Sequence, residues 1–485
     1  MDLDAALEFF GSAGLLRRLV ALSSSMMDRR RAAPAGIACV VGLALVAATL
    51  RAERTPHDVA SLAAADGELA ASLAAAAAAD GELATSSYSR FDSGLFTYRG
   101  RFRTSGSNGT DFDAAGAEIS FKLYGPAAKR VVVNITQPIV SGYFAESKFA
   151  VVVNGAKLNE TWSTLALNFS RPMAFEFVCP PGAANVSLFK NTEAVYGALP
   201  TRRKDMRNFL RFHGVAVHSE EPARLLKTTR GDDGGRRKRI AVIGDSISAG
   251  DCDTCPADAN PVVAAEEFYY AWPRLVCAAF DAHCEYNAWT ALGVADNWDS
   301  VGDMHQLDVY KLQLGSDWVS SDIDVDNDFD AFAPDALLVN VGTDDAYRGY
   351  LRNASSFVRA YYELIETAVT RSPSIADVFV MAGPISVSYY EDVDAVISTF
   401  SLVEAAVSDT VRRFSERLGA ERPDVAVHYL GLQRYNSSQY GHFCCGHPSI
   451  DKHKFMAQSI AANISASLGW NLVTQPLDID VITTY

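Results

Sequence analysis

From residue 239 onward, apolar runs of strand length recur at Ile240–Ile243, Ala336–Val341, Val378–Ala382 and Val425–Leu430. Longer segments with helical spacing separate or follow them, at Pro261–Phe280, Ser356–Ala368, Val393–Leu418 and Ile450–Leu468. A strand that is apolar on both faces has to be covered on both, so this alternation predicts an α/β domain with a mainly parallel sheet. In such sheets the reactive loops gather at the carboxyl ends of the strands. Ser246, Asp344 and His447 all fall just after predicted strands or in loops, so a single site can hold all three.

The preceding segment has a different period. Between residues 88 and 218, short alternating runs such as Glu118–Tyr124, Arg130–Thr136, Phe149–Asn154 and Asn185–Phe189 are punctuated by Gly125-Pro126, Asn154-Gly155 and Pro180-Pro181-Gly182. Period-two apolar runs with turn signals at this spacing predict an antiparallel β-sandwich. Residues 219–238 are polar and charged and read as a linker into the domain at 239–485. Residues 51–87 are Ala-rich, with Ala-Asp-Gly-Glu-Leu-Ala repeated at Ala65 and Ala79. They hold too few large apolar side chains to build a core and read as a stalk or spacer.

Residues 32–50 are free of charge and follow Arg29-Arg30-Arg31. Such a stretch just spans a bilayer core, and arginines on its N-terminal side place residues 1–31 in the cytoplasm. A signal peptide cleaved near Ala48 is the alternative. Either way the remainder is expected in the secretory pathway, as a single-pass type II membrane protein of the Golgi or cell surface, or secreted. Eight Asn-X-Ser/Thr sequons agree with export: Asn108, Asn134, Asn159, Asn168, Asn185, Asn353, Asn436 and Asn463, all beyond the apolar stretch. Past that stretch lie seven cysteines, most of which should pair in an oxidising compartment, leaving at least one unpaired. The net charge of −15 argues against a nucleic-acid partner, and membrane contact is expected through the N-terminal segment only.

The chemistry starts at Ser246. Gly244-Asp245-Ser246 follows a strand and precedes the small residues Ile247-Ser-Ala-Gly250. Such a turn presents a hydroxyl and aims a backbone N–H at a developing oxyanion, although Gly-Asp-Ser alone also suits a plain turn or a helix N-cap. Near the other end, Gly446-His447-Pro448-Ser449 opens a helical run, which places His447 to act as the base. His442 and His453 fit surface or core roles. No metal-ligand constellation or phosphate-cradling glycine loop is present, so no cofactor is expected.

These segments resemble the SGNH (GDSL-type) hydrolase superfamily and, within it, carbohydrate esterase family 2. Members of that family pair a jelly-roll domain with a flavodoxin-like, three-layer SGNH domain and deacetylate polysaccharides such as xylan and glucomannan. Ile240–Gly250 resembles the first block, with Ser246 matching the nucleophile. Leu338–Asp345 resembles Asn-Leu-Gly-Thr-Asn-Asp, and Gly446–Ala457 resembles Gly-His-Pro-Ser…His-x-x-Met-Ala, with His447 matching the base. In the β domain, Lys190-Asn-Thr192-Glu193-Ala194 resembles Lys-Arg-Thr-Glu-Ala, and Phe209–Val215 resembles the stretch that follows it. The likeness runs from about Phe91 to Leu468.

Three departures stand out. The third-block asparagine, which donates to the oxyanion, is Asp344 here, in the same loop as Gly342. An ionised carboxylate only accepts, and losing one oxyanion donor costs about 3–4 kcal/mol. The positions of the acid that usually orients the base hold Cys444 and Cys445, which points to a Ser246–His447 dyad. The second-block glycine corresponds to Gly293, with Ala291 as the alternative register. Trp289, Trp298 and Tyr286 nearby are candidates for stacking on sugar rings or for core packing. The resemblance implies a serine esterase that removes O-acetyl groups from acetylated oligo- or polysaccharide. A glycan O-acetyltransferase and a catalytically impaired carbohydrate-binding protein are the alternatives.

Overall fold

The computed structural model describes residues 84–89, 94–105, 109–137, 147–159, 162–163, 173–193, 209–227, 238–254, 266–298, 304–315, 327–346, 353–381, 383, 405–410, 412–413, 416–417, 422–431 and 447–476. All of them belong to one compact unit, Leu83–Tyr485. The candidate anchor at 32–50, the sequons Asn108, Asn168 and Asn436, and Cys444 and Cys445 lie outside the described residues. No described helix is long and apolar enough to cross a membrane.

Two antiparallel sheets, of six and seven strands, make the β-sandwich. Strict alternation builds it: along Lys129–Thr136 the side chains of Val131, Val133 and Ile135 turn inward, and along Gly182–Lys190 those of Ala184, Val186 and Leu188 do so. Aromatic edges fill the middle, with Phe96 against both Phe121 and Phe212. Lys129 breaks the apolar rule and is fully buried. Its ammonium donates to Gly125 O at 3.0 Å and Gly182 O at 2.8 Å, while burial pulls its pKa down. Cys179 is a free, buried thiol, which burial pushes up to about 12. The strand Arg224–Leu226 pairs with Glu118–Gly125 and so belongs to the sandwich, inside the segment read as linker. The first strand, Ala84–Ser89, likewise starts within the segment read as stalk.

The second domain holds five parallel strands in the order His283–Ala288, Arg239–Gly244, Ala336–Asn340, Asp377–Met381 and Ala426–Tyr429. In chain order this is 2-1-3-4-5, the flavodoxin-like arrangement. Alternate residues of the strand Arg239–Gly244 feed two cores. Ala241 and Ile243 pack with Phe357, Tyr361 and Leu364 of the helix Ala354–Arg371. Ile240 and Val242 pack with Leu275 and Val276 of the helix Trp272–Ala279 and with Met456 and Ile460 of the helix Ile450–Leu468. Three layers result, as the sequence pattern requires.

The strand His283–Ala288 was not among the apolar runs, because Glu285 and Asn287 interrupt it. The structure buries both against Arg101 of the sandwich, whose guanidinium donates to Glu285 Oε1 at 2.7 Å and Asn287 Oδ1 at 3.3 Å. The same guanidinium donates to the carbonyls of Tyr310 and Leu312 at 3.0 and 2.8 Å. A cation from one domain thus completes the edge strand of the other.

Candidate active site

Ser246 opens a one-turn helix, Ser246–Ala249, directly after the strand Arg239–Gly244. Asp245 caps it by accepting from Ile247 N at 3.1 Å, and Gly250 closes it in the left-handed region. Burial pushes the Asp245 carboxyl up to about 6, against the Thr343 and Ile247 bonds that favour its ionised form. Gly244 is required sterically, since a Cβ there would meet Ser248 Oγ at 2.1 Å. Ser246 itself is 3% exposed.

His447 enters just before the last helix, which Ser449 caps by accepting from Lys452 N. Its Nε2 lies 2.7 Å from Ser246 Oγ, although the two residues are 201 positions apart. Asp251 Oδ2 stands 3.7 Å from the same nitrogen, and Asp251 N donates to Ser246 O at 3.0 Å. Burial raises the Asp251 pKa, with the facing His447 and the Cys252 N–H opposing the rise. The next residue, Cys252, is disulfide-bonded. Ligand atoms of Asp251, Cys252 and His447 fall within 4.8 Å of one another. A disulfide sulfur offers no thiolate, so two usable ligands remain, too few for the usual three or four. The donor set does not fit a metal.

The loop after His283–Ala288 is held by nearly every backbone N–H it has. Trp289 N donates to Gly244 O at 3.1 Å and Thr290 N to Glu193 Oε2 at 2.7 Å. Gly293 N donates to Asn297 Oδ1 at 3.1 Å. Val294 N, Ala295 N and Asp296 N all donate to Asp345, at 2.8–2.9 Å. Burial still raises the Asp345 carboxyl to about 6, these three bonds opposing it. Gln306 Nε2 adds bonds to Gly244 O and Leu292 O, both at 2.9 Å. Within 289–296, no bond among the described residues engages the N–H of Ala291 or Leu292, and Ala291 adopts a positive φ of 62°.

This geometry changes the reading of several predicted residues. Gly293 N–H is already engaged by Asn297, whereas the N–H of Ala291, the alternative register, is not engaged among the described residues. Gly293 is needed instead for close packing, because a Cβ there would lie 1.8 Å from Asp296 O. Trp289 is 2% exposed, packs with Leu292, Met304 and Val309, and bonds Asn287 Oδ1 through its indole N–H. Its faces are not available to a sugar. Tyr286 is likewise core, edge-on to Phe268. Trp298 is 42% exposed, and its backbone N–H donates to Ala291 O at 3.2 Å, next to the site. Gly342, with φ 116°, and Asp344, 5% exposed, follow the strand Ala336–Asn340. Asp345 binds the Gly293–Asp296 segment rather than the loop around Ser246. His453 is core, and its Nδ1 accepts from Trp272 N at 3.2 Å. Asp251 and Glu193 are the contributors that sequence reasoning did not assign. The left-handed cap at Gly250, which turns the chain back beside Ser246, is the signal for Asp251.

Comparison with known proteins finds relatives of both the sequence and the fold. Residues 240–460 match the GDSL-like lipase/acylhydrolase family. A cellulase/esterase, CelE, of Acetivibrio thermocellus is 26% identical over 383 residues, which is 77% of this chain but only 39% of that relative. A family two carbohydrate esterase from Clostridium thermocellum, solved in complex with cellohexaose, superposes with a TM-score of 0.61 at 23% identity, covering 77% of this chain and 99% of that one. An acetyl xylan esterase from the rumen bacterium Butyrivibrio proteoclasticus gives 0.62 at 15% identity, covering 80% and 99%. Residues 240–460 of the α/β domain are similar to the GDSL-like lipase/acylhydrolase family, and the chain shares its two-domain fold with the family 2 carbohydrate esterases.

Proposed function

We propose that the chain is a serine esterase that removes O-acetyl groups from carbohydrate through an acyl-enzyme. The observation that carries this reading is the 2.7 Å contact between His447 Nε2 and Ser246 Oγ at the carboxyl end of the parallel sheet. His447 takes the hydroxyl proton as Ser246 Oγ attacks the ester carbonyl carbon. The N–H groups of Ser246 and Ala291 hold the oxyanion. His447 then protonates the leaving sugar oxygen, and water, deprotonated by His447, releases acetate and restores Ser246. Trp298 offers an exposed ring beside this site for a pyranose face. The relatives bound to cellohexaose or named for acetyl xylan support a carbohydrate as the ester's alcohol.

Export is part of the same proposal. Cys277 and Cys284 form a disulfide, and Asn159, Asn185, Asn353 and Asn463 are exposed sequon positions. Both suit an oxidising, glycosylating compartment. One observation favours an impaired enzyme: a carboxylate, Asp344, stands in the loop where a neutral donor is expected. The test is acetate release from 4-nitrophenyl acetate and acetylated xylan between about pH 4 and 9. Turnover abolished by Ser246→Ala supports the esterase. Parent and Ser246→Ala chains equal at background refute it, and turnover appearing only in Asp344→Asn identifies the carboxylate as what silences the site.

A further inference from the structure

We propose that Glu193, carried by the β-sandwich, is a positioning residue for the loop that holds the oxyanion. The inference rests on the esterase reading above. Glu193 is buried, and its carboxylate accepts from Thr290 N at 2.7 Å across the domain boundary. The segment bearing it is itself locked to the α/β domain. Asn191 accepts from Phe268 N through its carbonyl at 3.0 Å and from Tyr269 N through its side chain at 3.2 Å. Glu193 N donates to Glu266 Oε1 at 2.9 Å. The ammonium of Lys190, fully buried, donates to Thr192 O and faces the carboxylates of Glu266, Asp113 and Glu193. Glu193 is therefore a fixed acceptor at the domain seam.

The peptide geometry shows what this acceptor controls. Thr290 N–H belongs to the 289–290 peptide, which Glu193 pins. Ala291 O belongs to the 291–292 peptide, which Trp298 N–H pins at 3.2 Å. Between them lies the 290–291 peptide, whose only donor is the unengaged Ala291 N–H. Rotation of that peptide would return Ala291 from its left-handed conformation, unfavourable for a residue with a Cβ, to the ordinary region. The same rotation would carry Ala291 N–H away from the oxyanion. Pinning both neighbours opposes it, and one of the two pins comes from the other domain. This gives the sandwich a direct part in the chemistry.

The experiment compares Glu193→Ala, Glu193→Gln and Glu193→Asp in the full chain, by steady-state kinetics on 4-nitrophenyl acetate and by hydrogen exchange over Trp289–Leu292. In Glu193→Ala, kcat should fall about a hundredfold, the size of one lost oxyanion donor, with KM changed less than about twofold. The Thr290 amide should also lose its protection. In Glu193→Gln the side-chain carbonyl still accepts, so protection and most of kcat should return, while the shorter Glu193→Asp should fall between. Parental kcat or undiminished Thr290 protection in Glu193→Ala would overturn the proposal. So would a loss of kcat in Glu193→Gln equal to that in Glu193→Ala, which would show that the accepting oxygen is not what matters and mark the residue as merely structural. A parent without turnover would count against the esterase reading, and the exchange measurement would still decide whether Glu193 holds the loop.

Discussion

At the scale of single residues, the base that we propose, His447, has a carboxylate in an unusual place. In a Ser-His-Asp triad the acid meets the imidazole nitrogen remote from the serine. Here Asp251 stands 3.7 Å from Nε2, the nitrogen that faces Ser246 Oγ. A negative charge there favours the imidazolium that forms as the proton leaves Ser246, and a pair of unit charges 4 Å apart near a protein surface is worth about 4 kcal/mol before desolvation. The same charge competes with the serine oxygen for the Nε2 proton, which trims the benefit. Asp251→Asn should therefore lower kcat about ten- to a hundredfold with KM little changed, as read by steady-state kinetics on an acetyl ester. An unchanged kcat would make Asp251 a bystander. Burial raises the Asp251 pKa, so its charge is lost at a higher pH than an ordinary aspartate's, and the parent should lose this assistance first as the solution is acidified.

At the scale of elements, the loop after the strand His283–Ala288 is organised by Asp345, which receives three consecutive N–H groups. An asparagine has one acceptor oxygen, and with that oxygen kept on Ala295 N–H and Asp296 N–H it turns its NH2 toward Val294 N–H, a donor facing a donor. Asp345→Asn should cost about 1–3 kcal/mol, the price of a buried polar group left unmatched, and should lower the urea midpoint together with kcat. An unaltered midpoint would show that the loop tolerates the mismatch. The same loop separates what was legible in the sequence from what was not. The apolar runs from Ile240, Ala336, Val378 and Val425 each became a parallel strand, and Ile450–Leu468 became a helix with those bounds, because burial on both faces leaves a local signature. The strand His283–Ala288 left none, because Glu285 and Asn287 are satisfied by Arg101 from a segment some 184 residues away. Trp289 and Trp298 could not be sorted for the same reason. Whether an indole is covered depends on neighbours distant in the chain, such as Val309 over Trp289.

At the scale of the whole molecule, stability and acidity are linked through His453, where the helices Trp272–Ala279 and Ile450–Leu468 pack together. Its Nδ1 accepts from Trp272 N, so the ring is neutral with its proton on Nε2, and burial lowers its pKa to about 3. In the unfolded chain the ring takes a proton near the ordinary value of about 6.5. The contribution to stability is thus fully present above about pH 6.5 and is lost as the pH falls toward 3. Asp245 and Asp345 act with the opposite sign. Each has a folded pKa raised to about 6, so each contributes most at acid pH and loses that contribution as the pH rises through 6. The total profile mixes these slopes, and only a difference between parent and variant isolates one of them. His453→Asn keeps an acceptor for Trp272 N–H and removes the titration. The parent should lose about 2 kcal/mol relative to this variant between about pH 7 and pH 5, read from urea unfolding at the two values. A parent-to-variant gap that stays constant with pH would show that His453 takes up a proton as readily in the folded chain as in the unfolded one and would overturn its assignment as a neutral core residue.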